Sequence, residues 1–196
     1  MKVHYLLTGL LAMVLSANLA TAQDAPKKAP PLSPPADTSA TIGGKAISIK
    51  YSAPSVRGRK IFGAASAQVP DGTHGVLVPD GTIWRAGANE ATALHTDGDV
   101  TIGTLKVPAG NYTLYVLVNA KGWQLIVSKQ TGQWGEGNTG GTSLDTSKEL
   151  GRTPMKMGKT ASLVETYKMT LAGKGKKGSL TLEWEKTKAT VAIAAK

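Results

Sequence analysis

From Ala36 onward, apolar and polar positions alternate with a period of two, the signature of strands with one face buried. Ile47, Ile49 and Tyr51 alternate with Ser48 and Lys50, and Gly43-Gly44 separates that run from Ser39–Ile42. A Gly-Gly pair accepts positive φ at both central turn positions, so the two runs are expected to form a hairpin. Pro108-Ala109-Gly110-Asn111 turns into Tyr112–Val118, apolar at nearly every position, as in a strand covered on both faces. Trp123, Leu125 and Val127 share one face of the next strand. Later runs alternate through Tyr167, Met169 and Leu171, through Leu180, Leu182 and Trp184, and through Val191 and Ile193. The lysine-bearing stretch Gly173–Gly178 reads as a solvated hairpin loop. No segment carries a long helical period. Short strands at this turn spacing predict an all-β fold, a single antiparallel β-sandwich or jelly-roll-like domain over residues 36–196.

Two segments depart from that pattern. Ala64–Thr82 holds two Pro-Asp-Gly-Thr turns, at Pro70 and at Pro79, where proline presets φ and glycine relieves the return. Gln130–Ser147 is rich in Gly, Thr and Ser around Trp134 and reads as a long surface loop, the kind that carries function on a rigid sheet.

The alternation is absent before Ala36. Residues 1–22 have the three parts of a signal peptide: basic Lys2, an apolar stretch from Tyr5 to Leu15, and an Ala20-Thr21-Ala22 cleavage site. That stretch falls short of the about 20 residues a transmembrane helix needs, so no stable membrane insertion is expected after cleavage. Residues 23–35, with Pro26, Pro30, Pro31, Pro34 and Pro35, form a Pro-rich linker of extended character. The expected location is outside the cytoplasm, periplasmic or secreted.

Composition narrows the chemistry. The chain has 196 residues, a net charge of +10 and no cysteine. Disulfides, thiol catalysis and Cys-based metal sites are excluded. A basic chain suggests nucleic acid, but export argues against that partner and favours anionic small molecules, glycans or surfaces. Most of the charge is scattered lysine. The four arginines are placed differently: three of them are Arg57, Arg59 and Arg85 in two short segments. A guanidinium fork suits carboxylate or phosphate.

The densest cluster of chemistry is Trp84-Arg85-Ala86-Gly87-Ala88-Asn89-Glu90, followed by His95. It supports an anion site in which Arg57, Arg59 and Arg85 supply charge, Asn89 and Glu90 orientation, and Trp84 a wall. A structural reading competes: Arg85 and Glu90 paired to pin a loop, with Trp84 in the core. His74 or His95 with Glu90, Asp97 or Asp99 lacks metal-ligand spacing, so no metal and no cofactor is expected. The serines lack a nucleophile elbow, and Gly135–Gly141 lacks the features of a phosphate loop. Two further readings remain: an envelope-polymer hydrolase using Glu90 and His95 as acid and base, and a structural or partner-binding module using the Pro-rich arm and the long loop. The oligomeric state is left open.

The segments Tyr51–Arg59, Ile61-Phe62-Gly63, Trp84–Thr92, Val107–Leu114 and Leu182-Glu183-Trp184 together resemble the bacterial domain-of-unknown-function 2911 family, from about Pro35 to the C-terminus. The resemblance implies an exported protein with an all-β domain, and it transfers no catalytic residue because the family has no established activity. Against that family's usual pattern, Ala64–Val76 reads as added sequence, and Asp80 stands where the family tends to have an aromatic. Both fall near Arg85.

Overall fold

A computed structural model describes residues 31–65, 75–138 and 140–195. The expected signal peptide, most of the expected Pro-rich linker, the expected Pro70 turn and His74 lie outside the described residues. The strands, in chain order, are β1 (Pro35–Ile42), β2 (Lys45–Ser52), β3 (Phe62–Gly63), β4 (Val78–Pro79), β5 (Ile83–Trp84), β6 (Thr92–Thr96) and β7 (Val100–Ile102). There follow β8 (Leu105–Val107), β9 (Gly110–Leu117), β10 (Gln124–Ser128), β11 (Glu149–Pro154), β12 (Lys156–Lys174) and β13 (Lys177–Ala195). Among the described residues the one helical piece is a 3-10 turn at Thr146–Lys148, so no helix is long and apolar enough to cross a membrane.

Two antiparallel sheets pack face to face as an all-β sandwich. One runs β1-β2-β6-β9-β10-β11, with β5 also pairing β9; the other runs β12-β13-β7-β8. Turn chemistry sets the registers. Gly43 and Gly44 have φ of 58° and 78°, which joins β1 to β2 in the expected hairpin. Gly81 (φ 89°) closes the Pro79-Asp80-Gly81-Thr82 turn, with Thr82 N–H donating to the Pro79 carbonyl at 3.1 Å. The stretch around Lys176 is the tight end of the long β12–β13 hairpin.

Alternation then fills the core. Ile47, Ile49, Tyr51, Leu94, Leu114, Leu125 and Val127 meet Met169, Leu171, Leu180, Leu182, Val191 and Ile193 between the sheets. Tyr112–Val116 is buried at every position because the 130–147 loop lies over the outer face of β9 and β10. That cover is hydrogen-bonded: Gln133 Nε2 donates to Tyr115 Oη at 2.8 Å, and Gln130 Nε2 to the Ser143 carbonyl at 3.2 Å.

At one end the core is aromatic. Phe62 lies against Trp84, Trp123 and Trp184 at centroid distances of 5.7, 4.6 and 5.8 Å. Trp84 and Trp184 stack at 5.7 Å and 19°, and Tyr167 sits edge-on to Trp84 at 5.0 Å. Large rings in edge and offset-stacked contact anchor this end, and it is here that the Arg-bearing segments sit.

Candidate functional site

The strand pairing explains the local shape of Arg85–Ala91. β5 pairs β9 at Val116 and Leu117, and β6 pairs the same strand from Gly110 to Leu114. The chain therefore leaves β9 after Trp84 and returns to the same edge at Thr92. In between, β9 advances only past Tyr115, so the segment has to loop outward. Ala86 and Asn89 take left-handed φ of 54° and 58° to do this, conformations that cost energy for residues with a Cβ and gather where a fold positions chemistry. The loop is held by Trp84 Nε1–H donating to Gly87 O (2.9 Å), Thr92 Oγ1–H to Ala86 O (2.8 Å) and Ala88 N–H to Ser52 O (3.1 Å). Gly87 is required: a Cβ there would stand 2.9 Å from Ser52 O.

This outward loop forms one wall of a cavity of about 480 Å³, within the usual range for small-molecule sites. Four of the expected residues line it: Arg59, Trp84, Arg85 and Asn89. Trp84 and Trp184 give it an aromatic wall, with Leu77 and Ile83 nearby. Trp84 thus serves both readings, since it is buried in the core and also faces the cavity.

Arg59 is fixed by its own segment. Its Nε donates to Val56 O at 3.1 Å and Nη2 to Ser55 O at 2.7 Å. Arg85 is held differently. The Arg85–Glu90 pair weighed above does not form; Arg85 Nη1 pairs instead with Glu136, on the 130–147 loop. The physical reason is the outward loop itself, which turns Glu90 away from Arg85. The Arg85 side chain is 18% exposed and that of Glu136 52%. Arg85 Nε is buried and has no hydrogen-bond partner among the described residues, and Trp184 Nε1 is in the same condition. Buried donors are nearly always satisfied, so two orphans on residues that line one cavity call for an explanation. Glu136 is the sole carboxylate among the described lining residues.

Arg57 serves the linker. Its Nη2 donates to Leu32 O at 2.7 Å, and its left-handed backbone (φ 50°) is braced by Arg57 N–H donating to Glu165 Oε1 at 2.8 Å. Asn89 Nδ2 reaches Ser33 O at 3.4 Å. Leu32 and Ser33, the end of the Pro-rich stretch, thereby become part of the cavity wall.

Glu90 and His95 lie elsewhere, on the outer face of the larger sheet. Glu90 accepts from Ser52 Oγ at 3.4 Å beside Asp37 and Lys50, and His95 Nδ1 bonds Asn111 Oδ1 at 2.9 Å in another depression. The two depressions adjoin at Lys50 and Ala93, but each side chain is bonded to a different partner and lines only its own depression. Glu90 does mark how the long loop docks. Ala91 N–H donates to Gln133 O (3.2 Å) and Gly135 N–H to Asn89 O (3.0 Å), so Glu90 and Trp134 form a non-hydrogen-bonded antiparallel pair with side chains on one face. Trp134 remains 55% exposed.

Gly135 and Glu136 are the site residues that sequence reasoning passes over. Their signal was a glycine beside an acid within the loop, next to Trp134. A Cβ on Gly135 would stand 1.9 Å from Arg85 Cδ and 2.8 Å from Asn89 O, so only glycine lets the loop approach Arg85 this closely.

Comparison with known proteins bears on the chain as a whole. No curated protein and no solved structure matches it. One family model matches residues 33–193, nearly the whole sandwich and both Arg-bearing segments. The chain belongs to that family, described as "Protein of unknown function (DUF2911)".

Proposed function

We propose that this is an exported binding protein whose ligand is a small anionic molecule, held in the cavity between Arg59, Arg85 and the Trp84–Trp184 pair. The observation that carries the reading is the meeting of two arginines from separate segments at one cavity, with the Arg85 Nε donor buried and unpartnered. A guanidinium removed from water binds anions more strongly than an exposed one, because water competes less and screening falls. The exposed Leu77 in the lining, backed by the buried indoles, favours a ligand with an apolar body as well as a charge. Export rests on the three-part leader at residues 1–22. A hydrolytic pairing of Glu90 with His95 finds no support in their separate positions.

The test is calorimetric titration of the mature protein with phenylacetate, inorganic phosphate and glucuronate. Arg85→Ala and Arg59→Ala are compared under the same conditions, with thermal unfolding checking each variant's fold. The reading expects saturable binding of at least one anion, weakened at least tenfold by Arg85→Ala, since a charge-assisted bond is worth about 1.5–3 kcal/mol. Folded variants that bind as the parent does, or a parent that binds none of the three, overturn it.

A further inference from the structure

We infer that Glu136 is a built-in competitor at this site, and that the ligand it gives way to is a carboxylate with a flat, apolar body, an arylalkanoate or similar acid. The inference rests on the anion-site reading above and specifies it.

Three observations converge. First, the group already bound by Arg85 Nη1 is a carboxylate, so the site accepts that geometry. Second, the arrangement uses Arg85 incompletely. A free carboxylate has two oxygens and engages a guanidinium in a fork of parallel bonds. Arg152 shows that fork in this same chain, with Nε and Nη2 each 2.8 Å from Glu149. Arg85 lacks it: Glu136 takes Nη1 and leaves Nε buried without a partner. A ligand carboxylate that replaces Glu136 can bond Nη1 and Nη2 together, the guanidinium edge on which Glu136 uses Nη1 alone. Third, Glu136 is half exposed, so its side chain can return to water at little desolvation cost, whereas Arg85 cannot leave.

The rest of the cavity sets the ligand's body. The apolar part of the described wall is Leu32, Pro54, Leu77, Ile83, Trp84 and Trp184. Its open apolar surface is Leu32 and Leu77, 72% and 44% exposed, with Trp84 and Trp184 buried behind as a flat, rigid backing. The only other charged side chain among the described lining residues is Arg59, which leaves the site with an excess positive charge once Glu136 moves off. The site therefore suits one carboxylate on a flat apolar frame better than a neutral aromatic or a bare small anion.

Phenylacetate is the probe, with acetate and 2-phenylethanol as its two halves, titrated into the parent, Glu136→Gln, Glu136→Asp and Arg85→Ala. Removing an acid that must be displaced is expected to tighten phenylacetate binding about two- to fivefold in Glu136→Gln, the range for a partly exposed ion pair. Glu136→Asp, which keeps the charge but withdraws it by one methylene, is expected to fall between. Acetate and 2-phenylethanol are expected to bind at least tenfold more weakly than phenylacetate to both parent and Glu136→Gln. The inference fails, with the anion site intact, if Arg85→Ala loses phenylacetate while Glu136→Gln binds it no better than the parent, or if acetate binds as well as phenylacetate. The inference also fails alone if neither parent nor Glu136→Gln binds phenylacetate while the parent binds phosphate or glucuronate; both fail together if the parent binds none of the three, or if folded Arg85→Ala binds undiminished.

Discussion

Gly135→Ala is a sharp test of how the long loop is held on the site. The glycine does not need a left-handed backbone; what it needs is space. An added Cβ would meet Arg85 Cδ at 1.9 Å, Asn89 O at 2.8 Å and Arg85 Cβ at 2.9 Å. Rotating the arginine relieves the first contact, but the other two are with backbone and a Cβ, so the loop must move. Moving it gives up Gly135 N–H to Asn89 O, strains Ala91 N–H to Gln133 O, and separates Glu136 from Arg85. Two backbone hydrogen bonds at about 1 kcal/mol net each, with a few tenths for the ion pair, put the cost at about 2 kcal/mol. For a domain of this size that is a fall in Tm of about 4–8 °C. Gly158→Ala is the control: its Cβ would meet nothing closer than 4.0 Å, so a change within about 0.5 kcal/mol, or a slight gain, is expected. Urea denaturation of parent and both variants measures the difference. Equal stability of Gly135→Ala and Gly158→Ala would refute the claim that the loop is clamped through Gly135.

Tyr167 gives a prediction of opposite sign. Its hydroxyl is buried with no hydrogen-bond partner among the described residues, and burial, with a smaller contribution from Tyr51, pushes its pKa well above the ordinary tyrosine value. Tyr167→Phe removes an unsatisfied group and is expected to raise the unfolding free energy by about 1 kcal/mol; a loss of that size would reveal a partner for the hydroxyl. The raised pKa means the neutral form belongs to the folded state, so this contribution is complete below about pH 10 and declines as pH rises beyond it. Tyrosinate absorbance should then show Tyr167 ionising only with unfolding, and Tyr167→Phe should shift the alkaline limit upward. Glu90→Gln and His95→Ala, which lie outside the Arg59–Arg85 cavity, are expected to leave phenylacetate affinity within about twofold, below the 1.4 kcal/mol that marks a tenfold change; a tenfold loss in either would bring the outer face of the sheet back into the site.

The strands were legible where their information is local. Period-two alternation marks Ile47–Tyr51 and Leu180–Trp184 because one face of each meets the core, and Gly43-Gly44 carries its turn in two residues. The long hairpin was readable only in pieces. β13 runs unbroken from Lys177 to Ala195, but register shifts around Val164 in its partner and a left-handed Glu185 (φ 54°) interrupt the alternation, so Ser179–Trp184 and Lys188–Ala195 read as separate strands. β7 and β8, three residues each, are too short to show a period. For the site, arginine clustering pointed to Arg59, Arg85, Trp84 and Asn89, which line one cavity. The partner of Arg85 was not legible. Nearness in sequence favours Glu90, while the fold returns Glu136 from a distant loop, and nothing local to either segment encodes that contact. Arg57 was read by residue type as a ligand group, yet its guanidinium is used on the Leu32 carbonyl.

The most direct test of the central claim is the arginine side-chain Nε–Hε spectrum of the mature protein during a phenylacetate titration. The chain has four arginines, so few signals need assignment. Arg152, forked to Glu149 away from the cavity, serves as the internal reference. The Arg85 signal is expected to move farthest, Arg59 to follow with the same saturation curve, and Arg152 to stay in place. An Arg85 signal that stays fixed through the titration, or moves no more than Arg152, contradicts it.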